Sequence, residues 1–191
     1  MFYLMKYGKI YYIGTTKQQY KPMPTDIQLK PLTLEDKEML SRLANNKKIW
    51  NCLRDVLPHP YKRSDAETFI LFTQTKEPLE IFGILWEGTL CGVIELSPQE
   101  DVYRKTGEIG YWIGEPYWGK GIGTAAVALM THYGFETLAL ERIHAGVFDF
   151  NTASMRVLEK NDYVKEGVFR KAILKNGVIC DEHRYAKLKE E

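Results

Sequence analysis

Two periodicities divide this chain. Runs that alternate apolar and polar residues gather in 81–114 and again in 142–188, and stretches with apolar residues three and four apart lie before and between them. The first alternating run in the body is IQLKPL at 27–32, a predicted strand with Pro31 near its end. Thr33-Leu34-Glu35-Asp36 has the spacing of a capping box and opens a predicted helix that carries Leu40, Leu43 and Ala44. A short helix is expected over 47–53, and DVLPHPYKR, with two prolines, is expected to be loop. Ser64-Asp65-Ala66-Glu67 repeats the capping-box spacing ahead of Phe69, Ile70 and Thr73. Strands follow: IFGILWEG and TLCGVIEL, joined at Glu87-Gly88, then EIGYWIG. Ile122, Ala125, Ala126, Leu129, Met130 and Tyr133 keep helical spacing and predict a helix with one buried face. RIHAGVFDF reads as strand, NTASMRVLEKN as a short helix, and 163–175 and 178–188 as two strands around Asn176-Gly177. The order β-α-α-α-β-β-β-α-β-α-β-β predicts an α+β domain built on one mostly antiparallel sheet.

Residues 1–21 differ from the rest, with five tyrosines, four lysines and no acid. FYLMK and KIYYI flank Tyr7-Gly8 and read as a small hairpin, an N-terminal arm that Pro22 and Pro24 separate from a single domain over 22–191. Such an arm serves as an edge hairpin or as a partner contact, and a homodimer is one expectation.

Composition narrows the class. The chain has 191 residues, enough for one full core, and a formal net charge of +1, which supplies no field for nucleic acid or an anionic membrane. Three cysteines, Cys52, Cys91 and Cys180, form no close pair and fit reduced thiols in a cytoplasmic protein. The four histidines lack the spacing of a zinc site, so no metal is expected. No apolar run approaches a membrane span, and Lys6 breaks the only candidate signal peptide.

The chemistry begins at EPYWGKGIGTAA. Glycines 119, 121 and 123 fall between the end of a strand and the start of a helix. Glycine lets a ligand approach the main chain, and a helix N-terminus offers unpaired N–H groups and a partial positive charge. Lys120 adds a cation. The expectation is a phosphate or pyrophosphate site. A Walker A reading fails for want of a hydroxyl, since Gly121 stands where serine or threonine would hold magnesium. A dinucleotide fingerprint fails because the glycine spacing is wrong and PYW intervenes after the strand.

Strand, WGKGIGTAA, helix, strand and then Asn151-Thr152-Ala153-Ser154 together resemble the GNAT acetyltransferases. Residues 118–123 match the phosphate loop of that family, with Trp118 where Gln or Arg is usual. This tryptophan, Gly110-Tyr111-Trp112-Ile113, Pro58-His59-Pro60-Tyr61 and N-x-x-S-x-x-V-L-E-K at 151–160 look like the RimJ/RimL-like subgroup of ribosomal-protein N-terminal acetyltransferases. The resemblance spans about residues 27–187. It implies a GNAT-like fold, a mixed sheet with a splayed strand pair flanked by helices. It also implies acetyl-CoA as co-substrate and direct acetyl transfer to a primary amine, either a protein N-terminus or a small molecule. The cofactor site carried over is Trp112, Ile113, Gly119, Lys120, Gly121, Ile122, Gly123, Thr124, Asn151 and Ser154.

For the chemistry, Ser154 is the candidate acid toward the departing thiolate and Asn151 its neighbour one helical turn away. Many GNAT members carry a tyrosine seven residues after the asparagine; here that position is Leu158. Tyr163 is expected to pack. A backbone N–H at Ile113 or Gly114 is expected to receive the charge that develops on the thioester oxygen. Glu108 shares a strand face with Gly110 and Trp112 and is the candidate base, with Glu95 second. Arg54 and His59 are candidate contacts to the acceptor. Two other classes stay open from sequence: a non-catalytic acyl-CoA-binding module and a P-loop-like nucleotide-binding protein.

Overall fold

The computed structural model describes residues 2–6, 9–13 and 26–190, the first two segments as backbone. Among these described residues nine strands form one sheet in the order β1-β2-β3-β4-β5-β6-β7-β9-β8. They are β1 Phe2–Lys6, β2 Lys9–Ile13, β3 Ile27–Lys30, β4 Ile81–Trp86, β5 Thr89–Pro98, β6 Thr106–Ile113, β7 Arg142–Phe148, β8 Val164–Lys175 and β9 Val178–Leu188. Among the described residues five α-helices accompany them: α1 Lys37–Ala44, α2 Lys47–Asn51, α3 Arg63–Thr73, α4 Ile122–Glu136 and α5 Thr152–Glu159. β1 and β2 pair antiparallel, and β2 joins the sheet edge through Ile10↔Leu29 and Tyr11↔Gln28. The Tyr7-Gly8 turn and the Pro22–Pro24 boundary lie outside the described residues.

All neighbouring strands run antiparallel except β6 and β7. These two are linked through α4, the crossover that a parallel pair requires. Their pairing stops after Thr106↔Arg142, Gly107↔Ile143 and Glu108↔His144. Beyond it, β6 runs on to Ile113 beside β5 and β7 runs on to Phe148 beside β9, with a gap between them. The expected splayed pair is therefore β6 and β7.

Two apolar layers fix the sheet. On one face, Ile94, Leu96, Ile109, Ile143, Ala145 and Val147 pack with α4, and with Met155 and Leu158 of α5. On the other, Ile81, Leu85 and Val93 pack with Leu40 and Ala44 of α1 and Ala66 and Ile70 of α3. The prediction that α4 has one buried face is overturned. Its residues Thr124 to Thr131 are buried without a break, because α5 and the turn after it cover the side away from the sheet. There Asn161 donates Nδ2 to the Thr124 carbonyl at 3.1 Å, and the Tyr163 hydroxyl meets Thr131 Oγ1 at 2.7 Å. Tyr163 packs, as expected.

The caps explain the helix starts. Asp36 Oδ2 accepts the Thr33 N–H at 2.8 Å, and the Lys30 ammonium lies 2.7 Å from Asp36 Oδ1. The second predicted capping box is displaced. Helix α3 begins at Arg63, and Asp65 accepts the Lys62 N–H at 2.7 Å. Glu67, the expected partner of Ser64, instead takes the Lys37 ammonium at 2.8 Å, a tertiary contact with α1 that no local spacing announces.

Candidate active site

The glycine loop is held from both ends and left bare in the middle. A 3-10 turn, Glu115–Tyr117, follows β6, and Trp118 then donates its indole N–H to the Ile113 carbonyl at 2.6 Å. Asn46, the N-cap of α2, donates to Glu115 at 2.7 Å, and Lys48 pairs with the same carboxylate. These two hydrogen bonds, Lys48's first, hold the Glu115 carboxyl below its ordinary range. Gly119 (φ 73°) and Gly121 (φ 79°) adopt the left-handed conformation that side chains resist, and Gly121 is the N-cap of α4. Among the described residues no main-chain group accepts a hydrogen bond from the amides of Gly119 to Thr124; the first amide to donate is that of Ala125, to the Gly121 carbonyl at 3.1 Å. The side chain of Ile122 is core, and Thr124 is buried, so both reach a ligand only through their amides. Six consecutive N–H groups at the head of a fifteen-residue helix make an anion cradle. The Lys120 ammonium sits 4.5 Å over the Trp86 ring and 5.6 Å over Tyr117, anchored to the end of β4.

The gap beside the loop exposes main chain in a defined pattern. Gly114 donates its N–H to the Cys91 carbonyl at 2.8 Å. In an antiparallel ladder, bonded and non-bonded pairs alternate, so the next pair, Ile113 with Gly92, turns its polar groups away from β5. The Ile113 N–H therefore faces the gap that β7 has left. Of the two amides named from the sequence, Gly114 is spent in the sheet and Ile113 is available. By the same alternation the main chain of Trp112 is committed to β5. Its side chain packs with the α1–α3 layer.

One cleft of about 830 Å³ passes through the gap. On the α5 side it meets Asn151, Ser154 and Tyr111; on the other it meets Glu108, Glu95, Arg54, Leu57, Phe69 and Phe72. Asn151 caps α5, its Oδ1 accepting the Ser154 N–H at 3.3 Å. The Ser154 hydroxyl lies 2.9 Å from the Tyr111 hydroxyl, which also reaches the Ser154 carbonyl at 3.2 Å. Burial lifts the Tyr111 phenol well above its ordinary range, and the hydrogen bond with Ser154 works against this. Sequence reasoning missed Tyr111. The face chosen for chemistry there was that of Glu108 and Trp112, and Tyr111 points to the opposite face.

Glu108 stands at the fork of the strands, opposite His144, and forms an ion pair with Arg54. Both predicted residues are thus brought to the cleft, and to each other. Glu95 is exposed and accepts the Ser97 hydroxyl at 2.6 Å. His59 is not among the residues lining the cleft: its ring stacks on Trp50 with centroids 5.5 Å apart. Among the described residues no group of His, Cys, Asp and Glu is arranged to hold a metal, and no helix is long and apolar enough to cross a membrane.

A splayed parallel pair, a bare amide cradle at the head of the crossover helix and a through-cleft between them define an acyl-CoA-dependent N-acyltransferase. The comparisons identify which kind. The model of the acetyltransferase (GNAT) domain matches residues 26–164, and this chain belongs to that family. The putative ribosomal N-acetyltransferase YdaF of Bacillus subtilis is 40% identical over 109 residues, 57% of this chain and 59% of that protein. The probable N-acetyltransferase YjcK of the same organism is 34% identical over 170 residues, 85% of this chain and 93% of the relative. The microcin C7 self-immunity acetyltransferase MccE, solved with acetyl-CoA and AMP, superposes with a TM-score of 0.72 at 28% identity, covering 85% of this chain and 92% of the other. The reaction these comparisons support is transfer of an acetyl group from acetyl-CoA to an amine.

Proposed function

We propose that the acceptor is the α-amine of a peptide or protein N-terminus. The observation that carries this is the continuity of the cleft: it joins Ser154 to an open apolar groove walled by Leu57, Phe69 and Phe72. Such a groove suits the first side chains of a peptide better than a compact polar amine. YdaF, named as a putative ribosomal N-acetyltransferase, supports the same direction. An α-amine has a pKa near 8, so freeing it at pH 7 costs only about 1.4 kcal/mol, against roughly 4.6 kcal/mol for lysine. No strongly perturbed base is required.

In this reading the amides of Gly119 to Thr124 hold the diphosphate, and their bare geometry fits that group: six donors, no competing partner among the described residues and no side chain at Gly119 or Gly121. Lys120 contributes through its hold on Trp86 and Tyr117. The Ile113 N–H receives the charge that gathers on the thioester oxygen. Acetyl-CoA supplies an activated acyl carbon; the amine nitrogen bonds to it, the C–S bond breaks, and the sulfur leaves with the electron pair. Ser154 donates to that sulfur, and Tyr111, sharing its one proton between Ser154 Oγ at 2.9 Å and the Ser154 carbonyl at 3.2 Å, leaves the serine proton free to do so. Asn151 fixes the first turn on which Ser154 sits. Glu108 and, behind it, Glu95 take the proton of the incoming amine directly or through water. Holding both reactants in one cleft supplies much of the acceleration.

The test is transfer of a labelled acetyl group to peptides with free N-termini, to the same peptides carrying only lysine amines, and to small polyamines, read by mass spectrometry. The reading predicts α-N-acetylated peptide as the dominant product. Preferred acetylation of polyamine or of lysine Nζ would overturn it.

A further inference from the structure

Besides Asp65, Glu95 and Glu108, a further carboxylate reaches the cleft from a strand to which the sequence assigned no chemistry. Glu182 stands on β9 opposite Phe148, on the sheet face that carries Glu108, Glu95 and Trp112. It is only 8% exposed, yet it lines the cleft together with Gly146, Phe148, Asn151 and Ser154. Arg184 approaches it with Nε at 2.9 Å and Nη2 at 2.6 Å, both at Oε1. The guanidinium also covers the Phe169 ring at 4.8 Å. Oε2 takes no hydrogen bond among the described residues, and it is not sealed from solvent. The carboxylate rests against Gly146: a Cβ added there would stand 2.7 Å from Cδ and 2.8 Å from Oε2. Strand β7 omits a side chain where Glu182 needs room, and the freed oxygen is left beside the gap.

We propose that Glu182 binds the ammonium form of the acceptor. Oε2 accepts a hydrogen bond from the entering ammonium, while Arg184 holds Oε1 and fixes the orientation of the carboxylate. Gly146 is the positioning residue that admits it. The inference rests on reading the α1–α3 side of the cleft as the acceptor side. A charge-assisted hydrogen bond in a sheltered site corresponds to roughly ten- to hundredfold in affinity.

The test uses full-length protein saturated with CoA and a probe that does not depend on turnover. n-Butylammonium chloride is titrated, with 1-butanol as the neutral isostere, and the backbone amide resonances of Gly146 and Ser154 are followed. The wild type is expected to show a saturable response to the ammonium and none to the alcohol. Glu182→Gln and Gly146→Ala are each expected to weaken it at least tenfold, the second with the charge intact, and Glu182→Asp to restore part of it. No saturable response in the wild type, or an equal one in Glu182→Gln, overturns the assignment. Turnover separates this from the broader reading. If the wild type acetylates peptides and Glu182→Gln keeps the same acceptor KM, the role of Glu182 is wrong and the peptide reading stands. If no peptide is acetylated, that reading fails, and the titration still decides the site.

Discussion

Replacing Tyr111 by phenylalanine removes one buried oxygen and leaves the ring in place. The lost contacts are the 2.9 Å hydrogen bond to Ser154 Oγ and the 3.2 Å branch to the Ser154 carbonyl. A hydrogen bond of this kind contributes about 1 kcal/mol net, which for a chain of this size lowers Tm by about 2–4 °C. The catalytic effect is separable from that. Without the phenol, Ser154 loses the donor that keeps its own proton directed at the sulfur, and kcat at pH 7 is expected to fall about tenfold, or roughly 1.4 kcal/mol. A free thiol has a pKa of about 8.5, so above that pH the leaving group needs no proton and the defect shrinks. Tyrosine ionisation does not confuse the comparison, because burial raises the Tyr111 phenol and it stays protonated through pH 9.5. The assay is single-turnover release of CoA thiol from pH 6.5 to 9.5 for the wild type, Tyr111→Phe, Ser154→Ala and the double variant. Since the two hydroxyls act as one unit, the double variant is expected to be no slower than Ser154→Ala. Additive losses, or a Tyr111→Phe defect equally large at pH 9.5, would refute the relay.

Three further outcomes follow from the same geometry. Arg54→Ala removes a largely exposed partner of Glu108, so stability should change by less than about 1 kcal/mol, while KM for a cationic acceptor falls a few-fold and CoA affinity is unchanged. His144 is held below its ordinary pKa, chiefly by burial and against the pull of Glu108, so the folded state binds its proton less readily than the unfolded one. Its contribution to stability is then complete above about pH 6.5 and declines as pH falls below that, and His144→Gln should flatten the decline in Tm between pH 6.5 and 5. Burial pushes the Cys91 thiol up to about 12, so a thiol reagent at pH 8 should leave Cys91 unmodified in the native protein and label it only in denaturant, whereas Cys52 and Cys180 are half-buried.

The order of elements was legible because each strand in 81–114 and 142–188 carries its own alternation and the hairpins carry Glu87-Gly88 and Asn176-Gly177. The glycine cradle was legible because its chemistry is local: three glycines meet one helix start. What escaped depends on which elements become neighbours. The displaced cap at Asp65 follows from Glu67 finding Lys37 on another helix. The all-round burial of α4 follows from the placement of α5 against it. Tyr111 acquires a role only because α5 brings Ser154 to its face of the sheet, and Glu182 only because β9 lies beside β7 at a residue without a side chain. The one signal that pointed to Tyr111 was its place in Gly110-Tyr111-Trp112-Ile113.

The central claim is that the unpaired amides at the head of α4 grip the diphosphate of acetyl-CoA. Calorimetric titration of CoA into the wild type and Gly121→Glu tests it most directly, with circular dichroism to confirm that both fold. The account predicts that the carboxylate, set at a left-handed position in front of those amides, weakens CoA at least a hundredfold while Tm moves by only a few degrees. CoA binding with undiminished affinity to a folded Gly121→Glu protein would contradict it.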